Sequence, residues 1–279
     1  MKKTLFLLLS ALIFSSGCII EKPDPPPTTT EVVNALTEYA LINKIYSDSF
    51  DVADDAAKDA DEQIDGKKTT KDGYPIISIS PLDATTWPKS ITIDYGTENF
   101  LGIDGRYRRG IIQIETSDYY RNEGAILSIT YSNYYQNNYK VEGTQIVTNN
   151  GLNDNNNLVY TVEVEAGHIT SPEDLHIYFE QNTTREWTEG SETLLQPCDD
   201  VYLIEGTQTG TSSDNIDYTL TIQEPLDILI CCKWVRTGLL DVAIEDLTSI
   251  TIDYGYGTGG CDNQAAIIIN DNSYPITME

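Results

Sequence analysis

The chain has 279 residues, of which 44 are acidic and 17 are basic, so its formal net charge is −27 at pH 7. This charge argues against nucleic acid as a partner, because affinity for nucleic acid depends largely on lysine and arginine neutralising phosphates. It also argues against adsorption of the protein surface to anionic lipid. An acidic surface of this kind is typical of a well-solvated protein.

The N-terminus has the three parts of a secretory signal. A basic start is followed by an apolar run over residues 5–14 and by small residues at 15–17. The run is too short to cross a bilayer, which needs roughly 20 apolar residues. Cys18 follows directly, as in the lipobox of bacterial lipoproteins, although Ser15 stands where leucine is more usual. We therefore expect residues 1–17 to be a cleaved signal peptide and Cys18 to carry an acyl lipid such as palmitate. An ordinary signal peptide that contains a cysteine is the alternative.

Residues 18–30 are predicted to form a lipidated tether rich in proline and threonine. Proline favours extended polyproline II, at about 3.1 Å per residue, which would hold the folded part clear of the membrane. Ile19 and Ile20 follow the cysteine, so there is no aspartate there to suggest retention in the inner membrane. The sequence thus predicts a cell-envelope protein anchored to the outer membrane by the lipid on Cys18. It leaves open whether the protein faces the surface or the periplasm.

Four further cysteines are expected in an oxidising compartment, where disulfides persist. Cys198, Cys231, Cys232 and Cys261 allow three pairings, and the sequence does not choose among them. Cys231 and Cys232 are adjacent on a predicted strand, so their side chains should point in opposite directions and not bond each other. Cys232–Cys261 is the candidate disulfide. The spacing lacks the CxxC pattern of a zinc site.

An acidic amphipathic helix is predicted over residues 31–66. Thr28 and Glu31 form a capping box, and Gly66 stands where a helix would stop. Apolar residues recur at steps of three and four, which indicates one helical stripe packed on an apolar surface. The stripe comprises Tyr39, Ile42, Tyr46, Phe50, Ala53, Ala57, Ala60 and Ile64. The aspartates of the other face are expected to lie in water. They are Asp48, Asp51, Asp54, Asp55, Asp59, Asp61 and Asp65.

Residues 67–279 are predicted to be a mainly β body of antiparallel strands. Apolar and polar residues alternate in short runs, as at 91–95 and 127–131, and turn residues separate the runs. No long helical pattern follows residue 66, which argues against a βαβ architecture.

Two short segments are repeated within this β body. The segment 90–96 (SITIDYG) recurs unchanged at 249–255, and 142–145 (EGTQ) recurs at 205–208. These repeats predict two related β-meander halves. The halves would form either a sandwich of two packed sheets or one curved sheet covered by the helix, and the helical stripe favours the second arrangement.

Several blocks of the chain resemble those of a known group of proteins. Trp87-Pro88 is followed by 91–97 and by Asp104-Gly105-Arg106, and later come 184–190 (TREWTEG) and Cys261-Asp262-Asn263. In their order these blocks are similar to uncharacterised lipoproteins of Bacteroidota-type bacteria. The resemblance covers most of residues 86–279 and implies a lipoprotein with an all-β body. The family brings no assigned activity.

The residues that usually carry catalysis are scarce. Histidine is the commonest general base, yet only His168 and His176 occur, and His176 is predicted to be exposed on a strand. The G-x-S-x-G, HExxH and P-loop motifs are absent. Paired carboxylates hydrolyse glycosides, but among 44 acidic residues such a pair carries no information. The sequence therefore assigns no catalytic, cofactor-binding or metal-binding residue and no cofactor.

Two aspartates are repeated at strand ends, each before Tyr-Gly. Asp94 and Asp253 are expected to cap turns through nearby backbone amides. A calcium-binding turn that includes Asp104 or Asp262 is the alternative, but the full ligand pattern of such a loop is missing.

Tyrosine is enriched, with 18 tyrosines against five phenylalanines. A tyrosine offers a flat apolar ring with a hydroxyl, which suits stacking on sugars or contact with a protein partner. Sheet surfaces also favour tyrosine for structural reasons alone. The candidate binding surface consists of Tyr119, Tyr120, Tyr134, Tyr135 and Tyr139.

These features together predict a non-enzymatic envelope lipoprotein that binds a glycan or protein partner or serves as a structural surface component. The alternative is a periplasmic carrier of a lipid or other apolar ligand, and a glycan-cleaving enzyme ranks third. An exposed tyrosine platform would favour the first function, an apolar cavity the second, and two facing carboxylates in a cleft the third.

Overall fold

The computed structural model describes residues 29–66, 75–193, 196–244, 249–257 and 259–278. The predicted signal peptide, lipidated Cys18 and most of the tether lie outside the described residues. The helix α1 runs over Thr29–Ile64, close to the predicted bounds. Gly66, in a left-handed conformation with φ 70°, ends it by donating its N–H to the carbonyl of Gln63 at 3.0 Å. No helix in the described part of the chain is long and apolar enough to cross a membrane.

Fourteen strands follow the helix in the described part of the chain. They are Ile76–Ser80 (β1), Lys89–Asp94 (β2), Phe100–Leu101 (β3), Tyr107–Thr116 (β4), Ile126–Gln136 (β5), Tyr139–Leu152 (β6), Leu158–Thr170 (β7), His176–Glu189 (β8), Val201–Thr211 (β9), Asp217–Leu229 (β10), Thr237–Ile244 (β11), Ile250–Asp253 (β12), Gln264–Ile269 (β13) and Asn272–Thr277 (β14). All pairings are antiparallel, in the order β1-β2-β4 and then consecutively to β14, with β3 paired to β4. The mainly β prediction is confirmed, and the body is one sheet rather than a two-sheet sandwich.

One face of this sheet, which we call the inner face, packs on α1. Strand residues alternate between the two faces, and the inward ones are apolar, such as Ile91, Val162 and Phe179. On the helix, Ile42 and Tyr46 are fully buried in the same cluster. The predicted apolar stripe therefore covers the sheet, and this burial is the main favourable contribution to the stability of the fold.

The prediction that the acidic face of α1 lies in water is wrong for two aspartates. Asp48 is 4% exposed and accepts hydrogen bonds from Arg106 Nε at 2.6 Å and Gln136 Nε2 at 2.7 Å. Asp54 is also buried, and its carboxylate pairs with Lys58 at 2.8 Å. A buried carboxylate is tolerated only with such partners. The sheet reaches beyond the apolar stripe and brings those partners with it.

The two copies of each repeated segment make equivalent hydrogen bonds. The glutamine of each EGTQ copy bonds to α1: Gln145 donates to the carbonyl of Tyr46 at 3.2 Å, and Gln208 accepts from the hydroxyl of Tyr39 at 2.8 Å. In the SITIDYG copies, Asp94 accepts the N–H of Gly96 at 2.7 Å, and Asp253 that of Gly255 at 2.9 Å. These aspartates cap turns, as their position beside Tyr-Gly predicts.

Two disulfides cross-link the C-terminal part of the sheet. Cys232 is bonded to Cys261, which is the candidate pair named above, and Cys198 is bonded to Cys231. The adjacent Cys231 and Cys232 thus bond to different partners, one before β9 and one before β13.

Candidate functional site

The tyrosines of the predicted binding surface do not share one surface. Tyr120 and Tyr134 are buried in the core, at 2% and 0% exposed, so the prediction is wrong for both. Adjacent residues of a strand point to opposite faces, so the Tyr134-Tyr135 pair cannot present both rings on the same side. Tyr119 packs edge-on against Trp87 with ring centroids 5.0 Å apart.

The remaining two tyrosines are half-buried. Tyr139 packs against the main core, and the ring of Tyr135 is covered by the guanidinium of Arg109 at 3.7 Å. Two of the five predicted tyrosines are thus buried, and each of the other three is partly covered by a neighbouring residue.

Tyr135 lies at the rim of a shallow depression of about 570 Å³ on the outer face, which we call the outer basin. The two histidines of the chain meet there, with His168 Nε2 3.0 Å from His176 Nδ1. Burial lowers the pKa of His168, while Glu142, 3.3 Å from its Nδ1, opposes that shift. The sequence placed His176 on the exposed face of its strand, but only the register of β7 against β8 brings the two rings together.

A second depression, of about 300 Å³, lies between α1 and the inner face of β8 to β12, and we call it the helix–sheet cleft. It is found where the core divides into a large cluster and a smaller one built on β10 and β11. The register of β10 against β11 shifts twice, after Ile222 and after Glu224. These irregularities leave the apolar side chains that follow only half-buried, so the inner face stays open beside the helix.

The two walls of the cleft differ in chemistry. The sheet wall and the loop between β10 and β11 are apolar here, and their side chains include Ile204, Ile222, Leu226, Ile228, Trp234 and Leu240. The helix wall and the inner face of β8 and β9 supply polar groups. These are Asn43, Lys44, Ser47, Asp51, Gln181, Arg185 and Gln208. An apolar pocket with a few convergent polar groups is the usual form of a small-molecule site.

Arg185 is the most unusual of these polar residues. Its position in β8 directs its side chain to the inner face, where it is only 8% exposed. Its guanidinium lies over the ring of Phe50 at 4.1 Å, and within the described residues its Nε has no hydrogen-bond partner. Asp51 lines the same cleft, and burial raises the pKa of Asp51 to about 6, although the positive charge of Arg185 opposes the shift.

The arrangement closest to paired carboxylates lies elsewhere, in the packed interior around Trp187. Lys58 Nζ is 2.8 Å from an oxygen of Asp54 and 3.8 Å from one of Asp200, and it lies 4.5 Å from the Trp187 ring. Burial raises the pKa of Asp200 to about 6. The lysine lies between the two acids, and neither acid lines the helix–sheet cleft, so we interpret this group as a structural ion cluster.

The aspartate considered for a calcium-binding turn is also paired. Asp104 accepts hydrogen bonds from the guanidinium of Arg108 at 2.6 and 3.0 Å and from that of Arg106 at 2.9 Å. Over the described ranges, no group of three or more His, Cys, Asp and Glu residues is placed to hold a metal ion.

The described chain is a single antiparallel meander covered by one long helix. The cleft between the helix and the sheet has the size of a small-molecule site. Comparison with models of protein families, with curated proteins and with solved structures finds no match to this chain. The function of the cleft must therefore be argued from its own residues.

Proposed function

We propose that the protein is a non-enzymatic envelope lipoprotein that binds one small, partly apolar ligand in the helix–sheet cleft. The cleft itself, with an apolar sheet wall facing a polar helix wall, is the observation that carries this proposal. Its volume of about 300 Å³ is at the lower end of small-molecule sites, which span about 300 to 1,000 Å³. This size suits a single compact molecule or one acyl chain rather than a lipid with several chains.

The chemistry of the two walls further restricts the class of ligand that the cleft can bind. A carrier of a wholly apolar molecule would need a wholly apolar cavity, whereas Asn43, Asp51 and Arg185 face this cleft. Burying such groups against hydrocarbon alone costs free energy, because they would lose hydrogen bonds to water. The ligand therefore has a polar part as well as an apolar one.

The location of the protein belongs to the same proposal. Cys18 after an apolar run supports cleavage, lipidation and anchoring to the outer membrane, and the Bacteroidota-type lipoprotein family is the one in which we place the chain. The two disulfides suit an oxidising compartment. A ligand-binding protein held by lipid at a membrane would sample small molecules close to that membrane.

We expect Cys18→Ser to release the protein from the membrane fraction, because the thiol that takes the lipid is lost. The measurement is fractionation of cells after labelling with radioactive palmitate, with Glu21→Gln as the matched control that keeps Cys18 and both disulfides. Label and membrane association should disappear together in Cys18→Ser alone. Equal labelling of both variants would contradict lipidation at Cys18.

The ligand site is tested with the mature chain carrying Cys18→Ser, which needs no detergent. The probe is N-phenylnaphthylamine, a neutral dye that fluoresces in apolar sites. We expect Leu226→Gln, in the apolar wall, to weaken dye binding about tenfold, because about 1.4 kcal/mol of apolar contact is lost. Leu152→Gln is the control, since Leu152 is 63% exposed and outside the cleft. Equal affinities for the two variants would show that the dye binds elsewhere.

The outer basin supports a second candidate, in which a glycan or protein partner binds the outer face. The observation in its favour is the aromatic surface around His168, whose ring stacks on that of the half-exposed Tyr178 at 4.8 Å. It ranks second because the basin is shallow and Arg109 covers Tyr135. Saturation-transfer NMR with oligosaccharides checks this candidate, and transfer that survives Tyr178→Ala would exclude this surface.

A further inference from the structure

The helix–sheet cleft is a basic site in a strongly acidic protein. Lys44, Arg185 and Lys233 line the cleft together with the acidic Asp51, whereas the chain as a whole carries a formal charge of −27. Acidic residues outnumber basic ones more than twofold in the sequence, and the cleft reverses that ratio. The basic residues that line the cleft therefore favour an anionic group there.

Arg185 is the arginine of the cleft, and the structure shows no hydrogen bond from its guanidinium to another described residue. Each of the other five arginines of the chain donates to a protein acceptor: Arg106 and Arg108 to Asp104, Arg109 to Asn99, Arg121 to the carbonyl of Ser191, and Arg236 to Asp227. No ion pair between described residues involves Arg185, and its Nε is buried without a partner among them.

A buried guanidinium without a partner is costly, because it has lost hydration without gaining hydrogen bonds. Its five donors form a planar fork that matches a carboxylate, sulfonate or phosphate. Of the other cations in the cleft, Lys44 is bound to Asp48 at 2.6 Å, and Lys233 lies over the ring of Trp234 at 4.2 Å. Arg185 is therefore the group best placed to receive an acid from outside.

The protein's own carboxylate in the cleft does not take this role. Asp51 forms no ion pair with Arg185 within the part of the chain that the structure describes. The buried Nε donor thus remains available to a ligand, while the ring of Phe50 holds the guanidinium in place from one side.

We propose that Arg185 binds the acidic group of an amphipathic ligand whose apolar part lies against the sheet wall of the helix–sheet cleft. This inference rests on the proposed function and names its ligand class, a small organic acid with a compact apolar body or a single chain. The bond is an ion pair with paired N–H donors, and no covalent step is involved.

The test compares two dyes that differ by one acidic group. Anilinonaphthalene sulfonate has the ring system of N-phenylnaphthylamine with an added sulfonate, which stays ionised at neutral pH. With the mature Cys18→Ser chain, we expect the sulfonate to bind at least tenfold more tightly than the neutral dye. Decanoate should displace it at a concentration at least tenfold lower than decanol does, and this comparison requires no change at Arg185.

Variants then assign the effect to one residue. Arg185→Met should weaken sulfonate binding at least tenfold and leave the affinity for the neutral dye within about twofold. Arg185→Lys, which keeps the charge but loses the fork, should fall between the two. Arg109→Met removes the same side chain from the outer basin and should change neither affinity. Near-ultraviolet circular dichroism verifies that each variant is folded.

The possible results separate the inference from the proposed function. Equal affinities for the two dyes, both reduced by Leu226→Gln, would overturn the role of Arg185 and leave the apolar site standing. Binding of neither dye would overturn both. A preference for the sulfonate that survives Arg185→Met in the folded protein would also reject the inference.

Discussion

We expect Tyr46→Ala to lower the free energy of unfolding by about 3 to 5 kcal/mol, the usual cost of removing a large buried aromatic side chain. Tyr46 is 1% exposed at the middle of α1. Its ring stacks on Phe179 with centroids 5.5 Å apart and meets Tyr131 edge-on at 6.1 Å. Its removal would leave a cavity between the helix and the centre of the sheet, where neither side can collapse easily.

The hydroxyl of Tyr46 adds a second, separable effect. It donates to the carbonyl of Glu142 and accepts the N–H of His168 at 2.9 Å, which ties α1 to β6 and β7. Tyr46→Phe keeps the ring and leaves these backbone groups without that partner, so we expect a loss of about 1 to 3 kcal/mol. Urea unfolding followed by tryptophan fluorescence measures both variants. If Tyr46→Ala cost no more than Tyr46→Phe, the ring packing would contribute little, contrary to this account.

Gly206→Ala is expected to lower the free energy of unfolding by about 2 to 5 kcal/mol, which combines left-handed backbone strain with overpacking. Gly206, in the second EGTQ segment, has a φ of 126°, a conformation that side-chain-bearing residues rarely adopt. A Cβ there would lie 2.3 Å from the carbonyl oxygen of Asn182 and 2.7 Å from Cα of Thr183. Both are backbone atoms of β8, so the strand itself would have to move.

Gly105→Ala is the matched control for this prediction. Gly105 also has a positive φ, 76°, but a Cβ built on it meets nothing within 4 Å. Its replacement should cost only the conformational strain, about 1 to 2 kcal/mol. Thermal and urea unfolding of the two variants give the comparison. Similar losses at both glycines would mean that close approach of β8 and β9 is not what requires Gly206.

The glycine of the other EGTQ copy has the same structural role as Gly206. Gly143 stands at the same place in the first copy, has a φ of 108°, and would bring a Cβ to 2.7 Å from the carbonyl of Ala166. Both glycines lie at register shifts of the sheet. Each EGTQ copy thus has a bulge that needs glycine, and two residues later a glutamine that bonds to the helix. The same structural unit occurs twice in the chain.

The elements themselves could be predicted because their signals are local. Period-two alternation at Ile91 and Ile93 and steps of three and four at Ile42 and Tyr46 follow from the geometry of one strand or one helix. A one-sided apolar helix needs an apolar partner, and this need favoured the single covered sheet over a sandwich.

The errors arose where the neighbours of a residue come from distant parts of the chain. Asp48 was expected in water, because nothing near it in sequence shows that Arg106 and Gln136 would reach it. Tyr120 and Tyr134 were grouped with exposed tyrosines by their proximity in sequence, although strand alternation separates Tyr134 from Tyr135. Strand alternation by itself predicts that Tyr134 and Tyr135 point to opposite faces of the sheet.

The sequence predicts only part of what the structure shows about Arg185 in the candidate site. Alternation along β8 is enough to predict that it points inward, but its missing partner is a property of the packed structure alone. The cleft depends on where α1 crosses the sheet and on two register shifts in β10. The sequence by itself determined the helix, the strands, the turn-capping aspartates and the expectation of export, because these depend on residues close together in the chain. Only the tertiary structure decided which charges are buried, which histidines meet and where a ligand can enter, because these depend on the register of strands and on contacts between segments far apart in sequence.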